Sequence, residues 1–454
     1  MAENNTLKRF TTAQFLNFAL GFFGLQFAWQ MRIILSGPVT ENLGASPFIY
    51  GLIWLAGPFT GMVVQPLVGA LSDKTVSPLG RRRPYLLGGA IFASIALWIF
   101  PNSAGFANFL HNVTGADLPV WSALLTAAIM IWIIDACINV AQGPYRALIP
   151  DVVPQEQYSL ANSYISLAIG LGSVVAAGTA PFLKWMFDYQ MSVPAQFTMG
   201  ALAFTLAMVW TCVMIKEKNR TLPQTSGHPA FVTSVKDFFA LSPEVGKICT
   251  MQFFTWIGTM CMMIFFTQYS VHTIFGVPDL TTAAESTKQM YNPAVTDATN
   301  FSSICFAVFN LICFLVAIPI GILSAKFGNK KVHIISILTM VIAYLGMAFT
   351  KNDAAVAALM GLSGIGWASI CALPFAMLSQ YIKKGTEGSV MGIFNIFIAG
   401  PQVFVCTFVA WFISKCQFEM GSDAINYHWE YAFLAGAVCL AAAAGIAYTV
   451  KEKA

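Results

Sequence analysis

Residues 135–151 read Asp135-Ala-Cys-Ile-Asn139-Val-Ala-Gln142-Gly-Pro-Tyr-Arg146-Ala-Leu-Ile-Pro-Asp151, and they set polar groups into an otherwise apolar run. On a helix turning about 100° per residue, Asp135, Asn139, Gln142 and Arg146 fall within roughly 60° of one another, so one polar stripe runs along a greasy rod. A water-soluble helix has the opposite balance. In a bilayer an ionisable residue so placed must face the protein interior or a water-filled cavity, and Asp135 is the only carboxylate deep inside a hydrophobic segment. It marks the candidate working centre. The structural alternative has Asp135 neutral, or paired with an arginine only to hold helices together.

The rest of the chain agrees with a membrane setting. Of 454 residues, 57% are hydrophobic and 10% charged, and the mean hydropathy is +0.69, which excludes an ordinary soluble globule. Stretches of about 20 apolar residues, each enough to cross ~30 Å of hydrocarbon, occur near 10–35, 48–71, 85–101, 118–149, 158–183, 194–215, 247–275, 299–325, 332–350, 354–382, 388–414 and 430–450. The first is too long for the apolar core of a signal peptide and is expected to stay attached. The ten cysteines include no CxxC pair and no Cys/His cluster, so they read as small buried hydrophobes, and neither a metal nor a cofactor is expected.

Net charge is +4, carried by loops, and reads as membrane topology rather than nucleic-acid binding. With the N-terminus in the cytoplasm, eighteen of the 24 Lys and Arg fall on the inner side and only Lys184, Lys288, Lys351 and Lys415 outside. Both termini are therefore expected to be cytoplasmic, in a multi-pass protein of the plasma (inner) membrane. Arg32 and Arg146 lie in or at the ends of spans, and Arg32 is expected to snorkel to the outer interface.

The longest inner loop divides the chain into an N-terminal six-helix half (1–215), a central cytoplasmic loop (216–246) and a C-terminal six-helix half (247–454). The halves echo each other. Gly69-Ala-Leu-Ser-Asp73-Lys, followed by Gly80-Arg81-Arg82-Arg83, leaves the second span, and Gly321-Ile-Leu-Ser-Ala325-Lys, followed by Gly328-Asn-Lys-Lys, leaves the eighth. Matching signals at matching spans predict parallel repeats, hence an all-α membrane protein of twelve transmembrane helices in two halves. The loop reads as a gating latch: Gly69 lets helices approach, while Asp73 and the cluster Arg81, Arg82, Arg83 supply charge pairs that form and break as the inner side closes and opens. Topology alone is the competing reading of the arginines. Because Ala325 replaces the acid in the second copy, the latch is expected to be stronger in the first half.

Several runs together resemble one family. They are Ile53-Trp-Leu-Ala-Gly-Pro, Val64-Gln-Pro-Leu-Val-Gly-Ala-Leu-Ser-Asp73, Leu79-Gly-Arg-Arg-Arg-Pro-Tyr, Gln26-Phe-Ala-Trp, Gln142-Gly-Pro-Tyr-Arg-Ala-Leu, Gly366-Trp-Ala-Ser, Val390-Met-Gly-Ile-Phe-Asn and Pro401-Gln402. The chain is similar over nearly its whole length to the sucrose/proton symporters and their relatives, of the glycoside-pentoside-hexuronide type within the major facilitator superfamily. That resemblance implies a proton-driven carrier of sucrose or maltose, in which the acid of span four and the arginine eleven residues later, here Asp135 and Arg146, are functional. Two departures stand out. The plant members carry an acid in span seven, where this chain has Thr267-Gln268-Tyr269, and a histidine where it has Pro47. The compact length looks more like a bacterial member.

A sugar needs neutral hydrogen-bonding groups and aromatic faces. Candidate substrate-binding residues are Gln26 and Gln30 in span one, Asp135, Asn139, Gln142 and Arg146 in span four, Gln252, Trp256, Gln268 and Tyr269 in span seven, and Gln402 in span eleven. Gln252, Trp256 and Thr259 make a second stripe at i, i+4, i+7. For any one of them the competing reading is an interhelical hydrogen bond worth about 1 kcal/mol. The expected function is proton-coupled symport of an α-glucosyl disaccharide by alternating access around one cavity, with Asp135 carrying the proton, the partners being a disaccharide, a proton and the bilayer, and the protein acting as a monomer. A sodium-coupled glycoside symporter and an efflux carrier of an amphiphilic compound are the alternatives. An enzyme would need a second acid, a metal cluster or an activated nucleophile near Asp135, and none is visible, so no enzymatic activity is expected.

Overall fold

The structure is a computed structural model that describes residues 8–115, 119, 121–154, 157–215, 217, 238–381, 387–420 and 424–452. Among the described residues, twelve helical segments are long and apolar enough to cross a membrane. In chain order the helices are α1 (Thr12–Asn42), α2 (Pro47–Trp54), α3 (Ala56–Lys74), α4 (Arg83–Ile99), α5 (Ser103–Thr114), α6 (Ser122–Val152), α7 (Tyr158–Phe187), α8 (Val193–Met214), α9 (Pro243–Tyr269), α10 (Glu285–Phe327), α11 (Asn329–Phe349), α12 (Asp353–Ile370), α13 (Leu373–Ser379), α14 (Glu387–Phe404), α15 (Ala410–Lys415) and α16 (Glu430–Thr449). Local chemistry sets many of the starts. Thr11 and Gln14 form a reciprocal cap at α1, and Ser46, Ser192, Ser242 and Asn352 each accept a backbone N–H of the turn they open.

Two departures from the expected spans matter. Helix α1 continues to Asn42, seven residues past the predicted end, because Ser36-Gly-Pro-Val-Thr-Glu-Asn is short of charge and Pro38 is accommodated inside it. Between α15 and α16 lies a small antiparallel hairpin, β1 (Gln417–Met420) with β2 (Ala424–Tyr427), which hydropathy could not anticipate. It is tied to the end of α9 through Asn426, whose amide donates to His272 O and Val277 O, both at 3.3 Å.

By internal contacts the chain falls into two units, Met1–Leu43 with Phe59–Gln224, and Gly44–Pro58 with Thr225–Ala454. Helix α2 and its flanks thus group with the second unit. Within the first unit α1 packs on α7 and α8, and α4 on α6 and α8; within the second, α9 packs on α14 and α16, and α11 on α12 and α16. These four pairings correspond span for span between the units, as a parallel repeat requires. Close crossings sit at equivalent places: a Cβ on Gly24 would meet Ala207 Cβ at 2.7 Å, and one on Gly258 would meet Gly436 O at 2.8 Å. Gly69, by contrast, has open space where a Cβ would stand, so its expected close approach is not found among the described residues.

The repeat extends to a feature that the sequence reading passed over. Gly80 and Gly328 both adopt left-handed φ, +100° and +90°, which a side chain would strain. Beside each lies a carboxylate from the segment after the last span of its own unit, Glu217 at 2.8 Å and Glu452 at 2.8 Å from the missing Cβ. In sequence these are Lys216-Glu217-Lys218 and Lys451-Glu452-Lys453, the same tripeptide 235 positions apart.

Candidate coupling and sugar-binding site

Asp135 and Arg32 form the most deeply buried ion pair among the described residues. Arg32 Nη2 donates to Asp135 Oδ2 at 2.6 Å, and both side chains are 2% exposed. The arginine expected to snorkel therefore turns inward. The reason is the length of α1: with ten residues of helix still to come, Arg32 lies well short of the helix end, where burial demands an opposite charge.

Around the pair runs a chain of neutral groups. Asn139 Nδ2 donates to Asp135 O and to Thr60 Oγ1, each at 2.9 Å. Gln65 Nε2 donates to Asn139 Oδ1 at 2.6 Å and to Gln142 Oε1 at 3.1 Å. The helical stripe read from the sequence is thus brought together with two residues of α3. Neither Thr60 nor Gln65 was singled out, although Gln65 is a polar residue inside an apolar span and lies in one of the runs that carry the resemblance. Arg146 stays exposed on α6 and makes no hydrogen bond or ion pair with a described residue, so Arg32, not Arg146, is the charged partner of Asp135 in this structure.

The other candidates of the first unit lie on α1. Gln26 is half-buried where α1 meets α7, its Cβ 3.2 Å from the place of a Cβ on Gly172. Gln30 is buried one turn further along.

In the second unit the predicted residues separate into two kinds. Gln252 is fully buried, yet neither Nε2 nor Oε1 has a hydrogen-bond partner among the described residues, and the same holds for Trp256 Nε1 one turn later. Trp256 meets Trp367 of α12 edge-on at 5.6 Å, and Trp367 in turn lies 6.2 Å from Phe309 of α10. An amide and an indole N–H left over beside aromatic rings can take up a polyhydroxylated ligand or water. Tyr269 is of the other kind. Its hydroxyl donates to Met347 O at 2.6 Å and Thr350 O at 3.2 Å, satisfying carbonyls at the end of α11. Gln402 donates back to Ile398 O of its own helix at 3.0 Å, and Gln268 is buried in α9.

The basic cluster is engaged at one end of the first unit. Arg81 and Arg82 both pair with Asp151, Arg82 also donates to Ser72 Oγ, and Arg83 Nη1 donates to Cys212 O at 3.0 Å. Glu217 accepts the backbone N–H groups of Arg81, Arg82 and Arg83 at 2.8, 3.0 and 2.9 Å. The partners found are thus Asp151 and Glu217, both missed in the sequence; the side chain of Asp73 lies outside the described residues. The second unit repeats the arrangement with Lys330 N donating to Glu452 Oε1 at 3.1 Å. Nearby, the Tyr381 hydroxyl donates to Lys451 O; burial, with the charges of Glu244 and Glu452, pushes it above its ordinary pKa and keeps it a donor.

Twelve spans in two repeated units, with a buried acid beside hydrogen-bonding amides, define a membrane carrier. Residues 18–291 and 287–454 match the Major Facilitator Superfamily, and the chain belongs to that family. It is 28% identical over 423 residues to sucrose transport protein SUC4 of Arabidopsis thaliana, covering 84% of this chain and 80% of that one. It is also 28% identical over 430 residues to sucrose transport protein SUT2 of Oryza sativa subsp. japonica, covering 84% and 83%. In fold it is similar to a mutant form of the nucleoside transporter NupG, with a TM-score of 0.69 at 14% identity over 97% of this chain and 100% of that one. A bacterial homologue of the lysosomal transporter Spinster, inward-facing and occupied, gives 0.64 at 14% identity over 96% of each chain.

Proposed function

We propose that the protein is a proton-coupled symporter that imports an α-glucosyl disaccharide, sucrose or maltose, by alternating access, acting as a monomer in the plasma (inner) membrane with both termini cytoplasmic. The observation that carries this reading is the buried Asp135 beside Asn139, Thr60, Gln65 and Gln142, a group that can carry a proton next to groups that bind hydroxyls. The likeness to plant sucrose transport proteins supports the choice of sugar. In the proposed cycle Asp135 takes a proton from outside and the sugar binds on the Asp135 to Arg146 stripe; within the second unit, Gln252, Trp256 and Trp367 offer groups that suit hydroxyls and a sugar ring. Proton and sugar then leave together to the inside. An acid kept from water crosses more cheaply neutral than charged. The Asp73, Arg81, Arg82 and Arg83 region gates the inner side.

The test is uptake of labelled sucrose and maltose into proteoliposomes under an imposed pH gradient and, separately, a sodium gradient. Accumulation of either disaccharide under the pH gradient alone is the expected result. Accumulation driven only by sodium replaces the coupling ion, and failure of both sugars under both gradients overturns the reading. Asp135→Asn keeps hydrogen bonding but cannot carry a proton, so it loses accumulation while sugar exchange remains. Wild-type accumulation by that variant removes Asp135 from the role.

A further inference from the structure

Two consecutive backbone rungs of α1 are met by hydroxyls from other helices. At the first, Thr211 at the end of α8 accepts the N–H of Gly21 at 3.0 Å and donates to Asn17 O at 2.9 Å. In an α-helix those two backbone groups are each other's i→i−4 partners. At the second, Tyr145 of α6 donates its hydroxyl to Phe18 O, the carbonyl that the N–H of Phe22 would take. Both side chains are fully buried. Gly21 makes the approach possible, since a Cβ there would stand 2.6 Å from Tyr145 Oη. On either side of these rungs α1 is fastened to its neighbours. Ahead of them, the Gln157 side chain accepts from Phe10 N at 2.8 Å and donates to Phe10 O at 3.1 Å, and Phe15 stacks on Tyr164 of α7. Beyond them, a Cβ on Gly24 would lie 2.5 Å from Ala203 O of α8, and one on Gly172 of α7 would lie 2.6 Å from Phe23 O.

We infer that α1 bends between Asn17 and Phe22 during the transport cycle, and that Thr211 and Tyr145 are the positioning residues of that bend. This rests on the proposed alternating access. A helix bends where a side chain enters its i→i−4 ladder. In an apolar setting the obstacle is the bare N–H and C=O that an opened rung leaves behind. Here the replacements are already in place. When the rung between Asn17 and Gly21 lengthens, both of its groups keep Thr211, one as donor to it and one as acceptor from it. When the next rung lengthens, Phe18 O keeps Tyr145. The bend also reaches the candidate site, because Tyr145 lies on α6 between Gln142 and Arg146, at the far end of the stripe that begins with Asp135. A movement of α1 about Gly21 therefore pulls on the turn that carries Arg146. Ordinary interhelical ties are the competing reading of the same bonds, and the two readings differ in sign: a tie holds the rungs shut, whereas a waiting partner lowers the cost of opening them.

The experiment uses the full chain as wild type, Thr211→Val, Thr211→Ser and Tyr145→Phe. Amide hydrogen exchange and thermal melting are followed in detergent, and equilibrium exchange of labelled sucrose in proteoliposomes. Valine has the branched shape of threonine without its hydroxyl. In Thr211→Val the amides of residues 17–22 are expected to exchange with solvent at least fivefold more slowly than in the wild type, because the rung then opens less often. The maximal rate of sucrose exchange is expected to fall by a similar factor, with KM and melting temperature unchanged. Thr211→Ser, which returns the hydroxyl, is expected to restore both rates. Faster amide exchange over 17–22 with a lower melting temperature is the mark of an ordinary tie and overturns the inference, as does unchanged amide exchange. Slower amide exchange with wild-type sucrose turnover takes the bend out of the cycle and overturns it as well. Should Thr211→Val fail to fold, Tyr145→Phe decides by the same signs, since its ring keeps the stacking on Phe22 at 4.0 Å. A wild type that exchanges neither sucrose nor maltose fails the proposed function itself, a distinct result, because the amide comparison needs no sugar and still reads the bend.

Discussion

Gln252 and Gln65 are both amides inside the membrane region, and they are in opposite conditions. Gln65 makes two side-chain bonds, to Asn139 and Gln142, whereas both polar atoms of Gln252 are buried with no partner among the described residues. An unsatisfied buried amide costs about 1–3 kcal/mol, so Gln252→Leu is expected to hold or raise the melting temperature in detergent while weakening sucrose or maltose binding. Gln65→Leu is expected to lower stability by about 1–2 kcal/mol, the worth of two hydrogen bonds and a stranded acceptor. A fall in melting temperature for Gln252→Leu as large as that for Gln65→Leu would show Gln252 to be an ordinary packing residue. The Asp135 stripe was legible because a polar group in an apolar run is conspicuous at helical spacing. Which of Arg32 and Arg146 meets it was not. That depends on where α1 ends, and hydropathy locates a helix end poorly when the sequence past the apolar core is neutral rather than charged.

At the scale of single elements, the start of α4 is tied down by a carboxylate from beyond the last span of its unit. Three backbone N–H groups converge on the Glu217 carboxylate, which is 3% exposed, and the positive end of the helix dipole adds to the attraction. Glu452 makes the corresponding contact at α11 with one backbone N–H. Glu217→Gln is expected to cost about 1–2 kcal/mol of stability, since charge-assisted bonds to backbone N–H groups are roughly twice as strong as neutral ones, and Glu452→Gln less. Thermal melting of the two variants in detergent checks the order; equal losses would mean that the caps do not depend on the number of N–H groups they serve. The glycine-and-basic half of this motif was visible as a repeat in the sequence. Its acidic half was not, because Glu217 and Glu452 act on residues more than a hundred positions earlier, and only the packing of the last span against α4 or α11 reveals the pairing.

For the whole molecule, span number and the two-unit repeat followed from hydropathy and the duplicated loop, while the hairpin at 417–427 and the grouping of residues 44–58 with the second unit did not, being matters of tertiary contact. The candidate residues also divide by chemistry. The titratable centre, Asp135 with Arg32, belongs to the first unit, and the second offers Gln252, Trp256 and Trp367, an amide and aromatic faces. Coupling and selectivity should then separate under mutation. Trp256→Ala removes an indole that can lie against a sugar ring, a contact worth about 1–2 kcal/mol, or roughly tenfold in affinity, and touches nothing that exchanges a proton. It is expected to change the ranking of sucrose and maltose as competitors while the number of protons moved per sugar stays at the wild-type value. Neutral amides and rings grip less directionally than a carboxylate, so the wild type is expected to accept both disaccharides and to bind free glucose poorly, since one ring leaves part of the binding set unused. A panel of unlabelled sugars competing with labelled sucrose, measured together with proton flux, reads both quantities. Glucose competing as well as either disaccharide would remove the case for a two-ring substrate, and a change in proton stoichiometry with Trp256→Ala would show that coupling is not confined to the first unit.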